Sequence, residues 1–93
     1  MDTIAAISTP SGVGGIAVVR LSGPEAFAIA AKHVALPSAG RAAGYSLYRD
    51  GGAVLDEVVV TIFRAPRSYT GEDTVEISCH GSLYVQQALL QSL

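Results

Sequence analysis

The sequence predicts an α+β fold: a mixed sheet of about five strands, in the order ββαβββα, with helices packed on it. Three observations lead there. Runs at 16–21, 54–63 and 72–80 are rich in β-branched residues or alternate with a period of two, as strands do. Stretches after Ser22 and after Ser82 space their apolar residues three and four apart, as amphipathic helices do. Breaks containing glycine or proline separate most of these segments. At 93 residues the chain reads as one domain, 1–93, whose small core hides roughly 60–65% of the unfolded surface.

The elements follow in order. Asp2–Thr9 reads as a short strand, with Ile4 and Ile7 flanking two alanines. Thr9–Gly15 is a glycine-rich loop that lets backbone approach a ligand or a crossing segment closely. It is not a phosphate loop, because no lysine follows its glycines and a strand, not a helix, comes next. Ile16–Leu21 is apolar on both faces except at Arg20, which predicts a central strand covered on both sides.

Ser22 and Glu25 have capping-box spacing, and Pro24 suits a first helical turn. Phe27, Ala30, Ala31 and Val34 then mark a buried stripe, Lys32 and His33 complement the dipole, and Leu36-Pro37 ends the helix. Residues 37–44 form a linker. Tyr45–Arg49 and Val54–Phe63 read as a hairpin turning at Asp50-Gly51-Gly52, with Asp56 and Glu57 as solvent-facing gatekeepers. Ser82 caps a second helix that buries Val85, Ala88, Leu89 and Leu93 and turns Gln86, Gln87 and Gln91 outward. That helix runs to the last residue without a glycine cap, so the sequence reads as the front of a larger protein.

Composition narrows the function. Net charge is −2, and 15% of residues are charged against about 25% in an average soluble domain. Mean hydropathy is positive. The expectation is a soluble cytoplasmic domain with an apolar surface that a second copy, or more of the same protein, covers. No apolar run approaches the roughly 20 residues of a membrane span. The lack of basic excess makes the segment as a whole a poor electrostatic match for nucleic acid. One cysteine excludes an internal disulfide, and two histidines offer no metal-ligand spacing.

Chemistry concentrates between Ser68 and Gly81. Thr70-Gly71 makes a turn, after which Asp73, Val75, Ile77 and Cys79 share one strand face and Glu72, Thr74, Glu76, Ser78 and His80 the other. The second face is a solvated edge or a binding surface. Glu76, in mid-strand, and Arg20, in an otherwise apolar strand, are the informative pair. Arg20 either reaches water from its strand end or pairs with Glu76 at the mouth of a pocket. Cys79 falls on the apolar face and reads as a small core residue. His80, at the start of the second helix, has no assigned role. Tyr69 either stacks on a flat ring or packs locally.

Several blocks carry a resemblance. Asp2-Thr3-Ile4-Ala5-Ala6-Ile7, Thr9-Pro10 with the glycine loop, and Val19-Arg20-Leu21-Ser22-Gly23 resemble the start of the tRNA-modification GTPase family called MnmE or TrmE. Leu55-Asp56-Glu57-Val58, Arg64 through Asp73 and Val75-Glu76-Ile77-Ser78-Cys79-His80-Gly81 are similar to its next blocks, in the same order. The run S-Y-T-G-E-D followed by E-I-S-C-H-G is the specific part. Val13 in the glycine loop and Ser82 after C-H-G depart from the family pattern.

The resemblance implies an N-terminal domain that binds a reduced folate, of the 5-formyl-tetrahydrofolate type, and holds a homodimer. It implies a fold like the folate-binding domain of the glycine-cleavage aminomethyltransferases, here truncated at its C-terminus. Positions matching Arg20 and Glu76 contact the folate in that family, and a further ligand-contacting lysine would lie beyond Leu93. GTP, magnesium and potassium would enter only through a GTPase domain that follows. The parent proteins act with a flavoprotein partner on the wobble uridine of tRNA, and this segment is expected to be non-catalytic. The chemistry agrees: a pterin offers an exocyclic amino group and a ring N–H side by side, which one carboxylate can accept. The alternatives are a folate-dependent one-carbon transferase domain and a purely structural dimerisation module.

Overall fold

The β-branched and alternating runs all become strands. A computed structural model describes residues 3–8, 15–37, 42–65 and 71–93. Its elements are β1 (Ile4–Ile7), β2 (Ile16–Ser22), α1 (Ala26–Ala30), β3 (Ala43–Asp50), β4 (Ala53–Phe63), β5 (Thr74–His80) and α2 (Leu83–Ser92). The ββαβββα order is as predicted. The strands lie in the spatial order β1-β2-β5-β4-β3. Every pairing is antiparallel, so the mixed sheet of the sequence reading is corrected to an antiparallel one. The physical reason is topological. β2 ends and β3 begins at the same end of the sheet, so the connection through α1 crosses over without reversing the alternation of strand direction.

One face carries the core. Val19 and Leu21 of β2, Val58 and Val60 of β4, and Val75 and Ile77 of β5 are all buried, under Ala26 and Ala30 of α1 and Leu89 of α2. Among the described residues no helix lies on the opposite face, where Ile4, Ile16, Tyr45, Leu47 and Val59 are exposed. Helices among the described residues pack on one side of β2 only, where the sequence reading expected cover on both. Its apolar composition reflects Ile16, which is 69% exposed, and half-buried Val18, both on the open face.

Local chemistry explains the remaining differences. Ser22 does not cap α1. It is the last residue of β2, and its hydroxyl faces that of Thr74 at 3.5 Å. Glu25 takes the cap position without a side-chain bond, while its N–H donates to Thr3 Oγ1 at 2.9 Å. The helix stops at Ala30, six residues before Leu36, because the backbone tightens: Lys32 N–H bonds Ile29 O and His33 N–H bonds Ala30 O. The expected second cap is present, with Ser82 Oγ accepting from Val85 N–H at 3.1 Å. Gln86 points inward, not outward, because its amide donates to Gly81 O at 3.0 Å and so ties the helix to the end of β5. The Asp50-Gly51-Gly52 turn also stands, with Gly51 at φ +60°, a conformation that favours glycine.

Two buried acids report the core's dryness. Burial pushes the Tyr48 hydroxyl above its ordinary 10.0, against a lowering hydrogen bond from Ser92. Burial, then the charge of Asp56, pushes the Cys79 thiol above its ordinary 9.0. Raised values in the folded state mean that the unfolded chain loses these protons first as pH rises. Stability from both groups is thus full below about pH 9 and falls above it, toward their folded values. Urea midpoints measured from pH 7 to 10.5 should decrease beyond pH 9. A flat profile there would show that neither group is shielded from solvent.

Candidate functional site

The open face gathers the polar side chains. Arg20 on β2 stands directly opposite Glu76 on β5, and that register makes them a cross-strand pair. Arg20 Nε and Nη2 both donate to Glu76 Oε2, at 3.0 and 2.6 Å. The side chains are 29% and 24% exposed, so the pair is neither fully desolvated nor freely screened. The two candidate residues named from sequence are therefore together, and Arg20 pairs in preference to merely reaching water. Because both bonds converge on Oε2, neither engages Oε1. The guanidinium fixes the carboxylate's orientation while one oxygen takes no part in that grip.

The register extends this pair into a row across all five strands, ending at Ala43 opposite Thr61. Ala6 lies opposite Arg20 on one side, and Thr61 opposite Glu76 on the other. The next row runs Val18, Ser78, Val59, Tyr45. Hydroxyls at Thr61 and Ser78 thus flank the carboxylate, with valines beside them. A flat ring carrying polar edges suits such a surface: apolar contact on its plane, hydrogen bonds along its rim. Sequence reading set Ser78 on the face of Glu76 but missed Thr61, because it did not place β5 between β2 and β4. Alternation within β4 could have set Thr61 on the open face, but not opposite Glu76.

His80 closes the β5 end of this face. Its backbone N–H donates to Asp56 Oδ2 at 2.8 Å, and its Nδ1 to Asp56 Oδ1 at 2.6 Å. Asp56 is 9% exposed, so it is a clasp between β4 and β5 and not the solvent-facing gatekeeper expected. Glu57 does face solvent, where it accepts from the Tyr45 hydroxyl. Gly15 O accepts from Gly81 N–H at 3.3 Å, which brings the end of the glycine-rich loop beside His80. A cavity of about 180 Å³ lies there, lined by Gly15, Ile16, Tyr45, Val59, Ser78 and His80 among others. Residues 9–14 of that loop and Tyr69 lie outside the described residues. Cys79 is buried, as its strand face predicts, and its raised thiol makes it a poor nucleophile. Among the described residues no cluster of histidine, cysteine and carboxylate could hold a metal, and no helix is long and apolar enough to cross a membrane.

Fold and site together define a small antiparallel α+β domain that presents an oriented, partly exposed carboxylate on the sheet face opposite the helices. Residues 3–93 match the family model described as GTP-binding protein TrmE N-terminus, and the chain belongs to that family. It is 49% identical over 102 residues to the tRNA modification GTPase MnmE of Parabacteroides distasonis, covering all of this chain and 22% of that protein. It is 48% identical over 99 residues to the same-named protein of Christiangramia forsetii, covering 99% of this chain and 21% of that one. Against the Thermotoga maritima protein of that name it is 47% identical over 92 residues, covering 97% of this chain and 20% of the relative. The chain thus spans about a fifth of the length of the curated relatives it matches.

Proposed function

We propose that this domain binds a reduced folate of the 5-formyl-tetrahydrofolate type and mediates homodimerisation, as the N-terminal part of a tRNA-modifying GTPase acting on the wobble uridine. The observation that carries the folate reading is the Arg20–Glu76 pair, in which Arg20 grips Oε2 and leaves Oε1 out of its two bonds. A pterin's amino group and ring N–H match a carboxylate acceptor. Arg20 is then the orienting partner, and the pterin's first donor goes to Oε1. A second donor must share Oε2 with the guanidinium. Thr61 and Ser78 supply rim hydroxyls. The exposed Ile4, Ile16, Tyr45, Leu47 and Val59 on the same face support a second copy as its cover.

On this reading the segment itself performs no catalysis. GTP, magnesium and potassium belong to a GTPase domain elsewhere in a longer cytoplasmic protein, which also meets tRNA and a flavoprotein partner. The test is a titration of the chain with 5-formyl-tetrahydrofolate, with mass followed by light scattering. Saturable binding and a mass of two chains are expected. A monomer without binding would sink both parts, and a dimer that binds no folate would leave the structural module.

A further inference from the structure

Beyond the Arg20–Glu76 pair, the same face holds a second fixed polar group at the end of β5. Glu76, Ser78 and His80 alternate onto one side of that strand. At the usual rise per residue, His80 lies about 13 Å along it from Glu76. Asp56 fixes the imidazole. Its Oδ2 accepts the His80 backbone N–H at 2.8 Å, and its Oδ1 accepts from Nδ1 at 2.6 Å. The carboxylate is 9% exposed and the imidazole 70%, so a buried acid holds a ring out toward solvent. The backbone bond alone would clasp β4 to β5. The second bond sets the ring's tautomer and plane. With the proton on Nδ1, the neutral ring presents Nε2 as an acceptor, and among the described residues no hydrogen bond engages Nε2.

A ligand that meets Glu76 with its pterin has two ways to run along β5. Toward the start of the strand the polar groups are spent. Thr74 is 1% exposed, and its hydroxyl donates to Glu72 O at 3.2 Å and lies 3.5 Å from that of Ser22. Toward the other end lie the Nε2 acceptor and the cavity of about 180 Å³, which Ser78 and His80 help to line. That volume is below the roughly 300–1,000 Å³ of a site enclosing a whole small ligand, and suits one ring of a longer one. Charge then selects the group that meets the imidazole. Asp56 bonds the ring, Glu57 lines the same cavity, and no lysine or arginine among the described residues does. Two acidic neighbours repel a carboxylate there and favour an N–H donor.

We infer that His80 is the second recognition point of the folate site: Nε2 accepts the amide N–H that joins the benzoyl ring to the glutamate of a reduced folate, whose long axis lies along β5. Asp56 acts through the ring and is a positioning residue. The benzoyl ring occupies the cavity, and the glutamate carboxylates extend past Glu57 into solvent. This inference rests on the folate reading and adds to it a direction, a second anchor and a minimum length for the ligand. A pterin without the benzoyl-glutamate tail reaches Glu76 but not His80.

The test is a calorimetric titration of the chain with 5-formyl-tetrahydrofolate and, separately, with 5-formyl-6-methyltetrahydropterin, which lacks the tail. His80→Ala should bind the folate about 3- to 10-fold more weakly than the parent, the worth of one hydrogen bond net of water. It should bind the pterin within about twofold of the parent, because the pterin end is an independent contact. His80→Gln, whose amide oxygen can accept in place of Nε2, should recover part of the loss. In NMR spectra of the parent, the His80 ring signals should shift and saturate with the folate and stay in place with the pterin. Equal loss of affinity for both ligands in His80→Ala would make the Asp56–His80 clasp purely structural and overturn the inference. Unchanged folate affinity in that variant, or His80 signals that the folate does not move, would overturn it as well. Those results leave the assignment of Glu76 intact. A parent that binds neither ligand is the separate failure of the folate reading, and the inference falls with it.

Discussion

Glu76→Gln is expected to bind 5-formyl-tetrahydrofolate about 30- to 1000-fold more weakly than the parent, a loss of about 2–4 kcal/mol. The substitution keeps the shape of the side chain. Its amide oxygen can still accept from Arg20, but its NH2 then takes the position from which Oε1 would accept. A donor facing the pterin's donors removes one or two charge-assisted bonds, each worth about 1.5–3 kcal/mol, and adds an unmatched polar contact. Folding should change by less than about 1 kcal/mol, because both partners retain some solvent and the neutral amide preserves part of the grip. Calorimetric titration alongside urea denaturation separates the two effects. Unchanged folate affinity with lowered stability would make Glu76 a structural partner of Arg20 and remove the pterin assignment.

One residue further along the strand the expectation inverts. Ile77→Ala should cost about 2–5 kcal/mol of folding stability. Ile77 is fully buried in the middle strand of the sheet, with Val19 and Val60 beside it in register and equally buried. Truncation removes transfer energy and leaves a void that flanking strands, fixed by hydrogen-bonded ladders on both sides, cannot close. Against a typical total of about 5–15 kcal/mol, this is a large fraction, and part of the population should unfold at moderate temperature. A urea midpoint within about 0.5 kcal/mol of the parent would show that this side of the sheet is not the core.

The contrast between these neighbours was legible before any coordinates, because alternation alone assigns Glu76 and Ile77 to opposite faces. The hairpin at Gly51, the cap at Ser82 and the burial of Cys79 were legible for similar reasons, each resting on a local rule. The rest depends on which strands meet. Nothing near Thr61 in sequence says that it lies opposite Glu76, since that follows from β5 inserting between β2 and β4. Gln86 and Asp56 read as surface residues by polarity. Each is instead turned to a backbone group at the β5 end, a partner that periodicity does not reveal. The short α1 has the same origin: residues with helical spacing at 31–34 are drawn into a turn whose His33 fastens β3. Tertiary partners outweighed local preference there.

The place of β5 in the strand order has a thermodynamic consequence. β3, β4 and β5 follow one another along the chain, so their ladders form between near neighbours. Joining β2 to β5 brings together residues 56 positions apart, at Arg20 and Glu76. That closure carries the larger loop entropy. A partly folded chain that has only the meander therefore contains Glu76 but not its guanidinium. A molecule gripped by the pair recognises the completed sheet alone, and by mass action its concentration would set how much of the population has crossed that last closure.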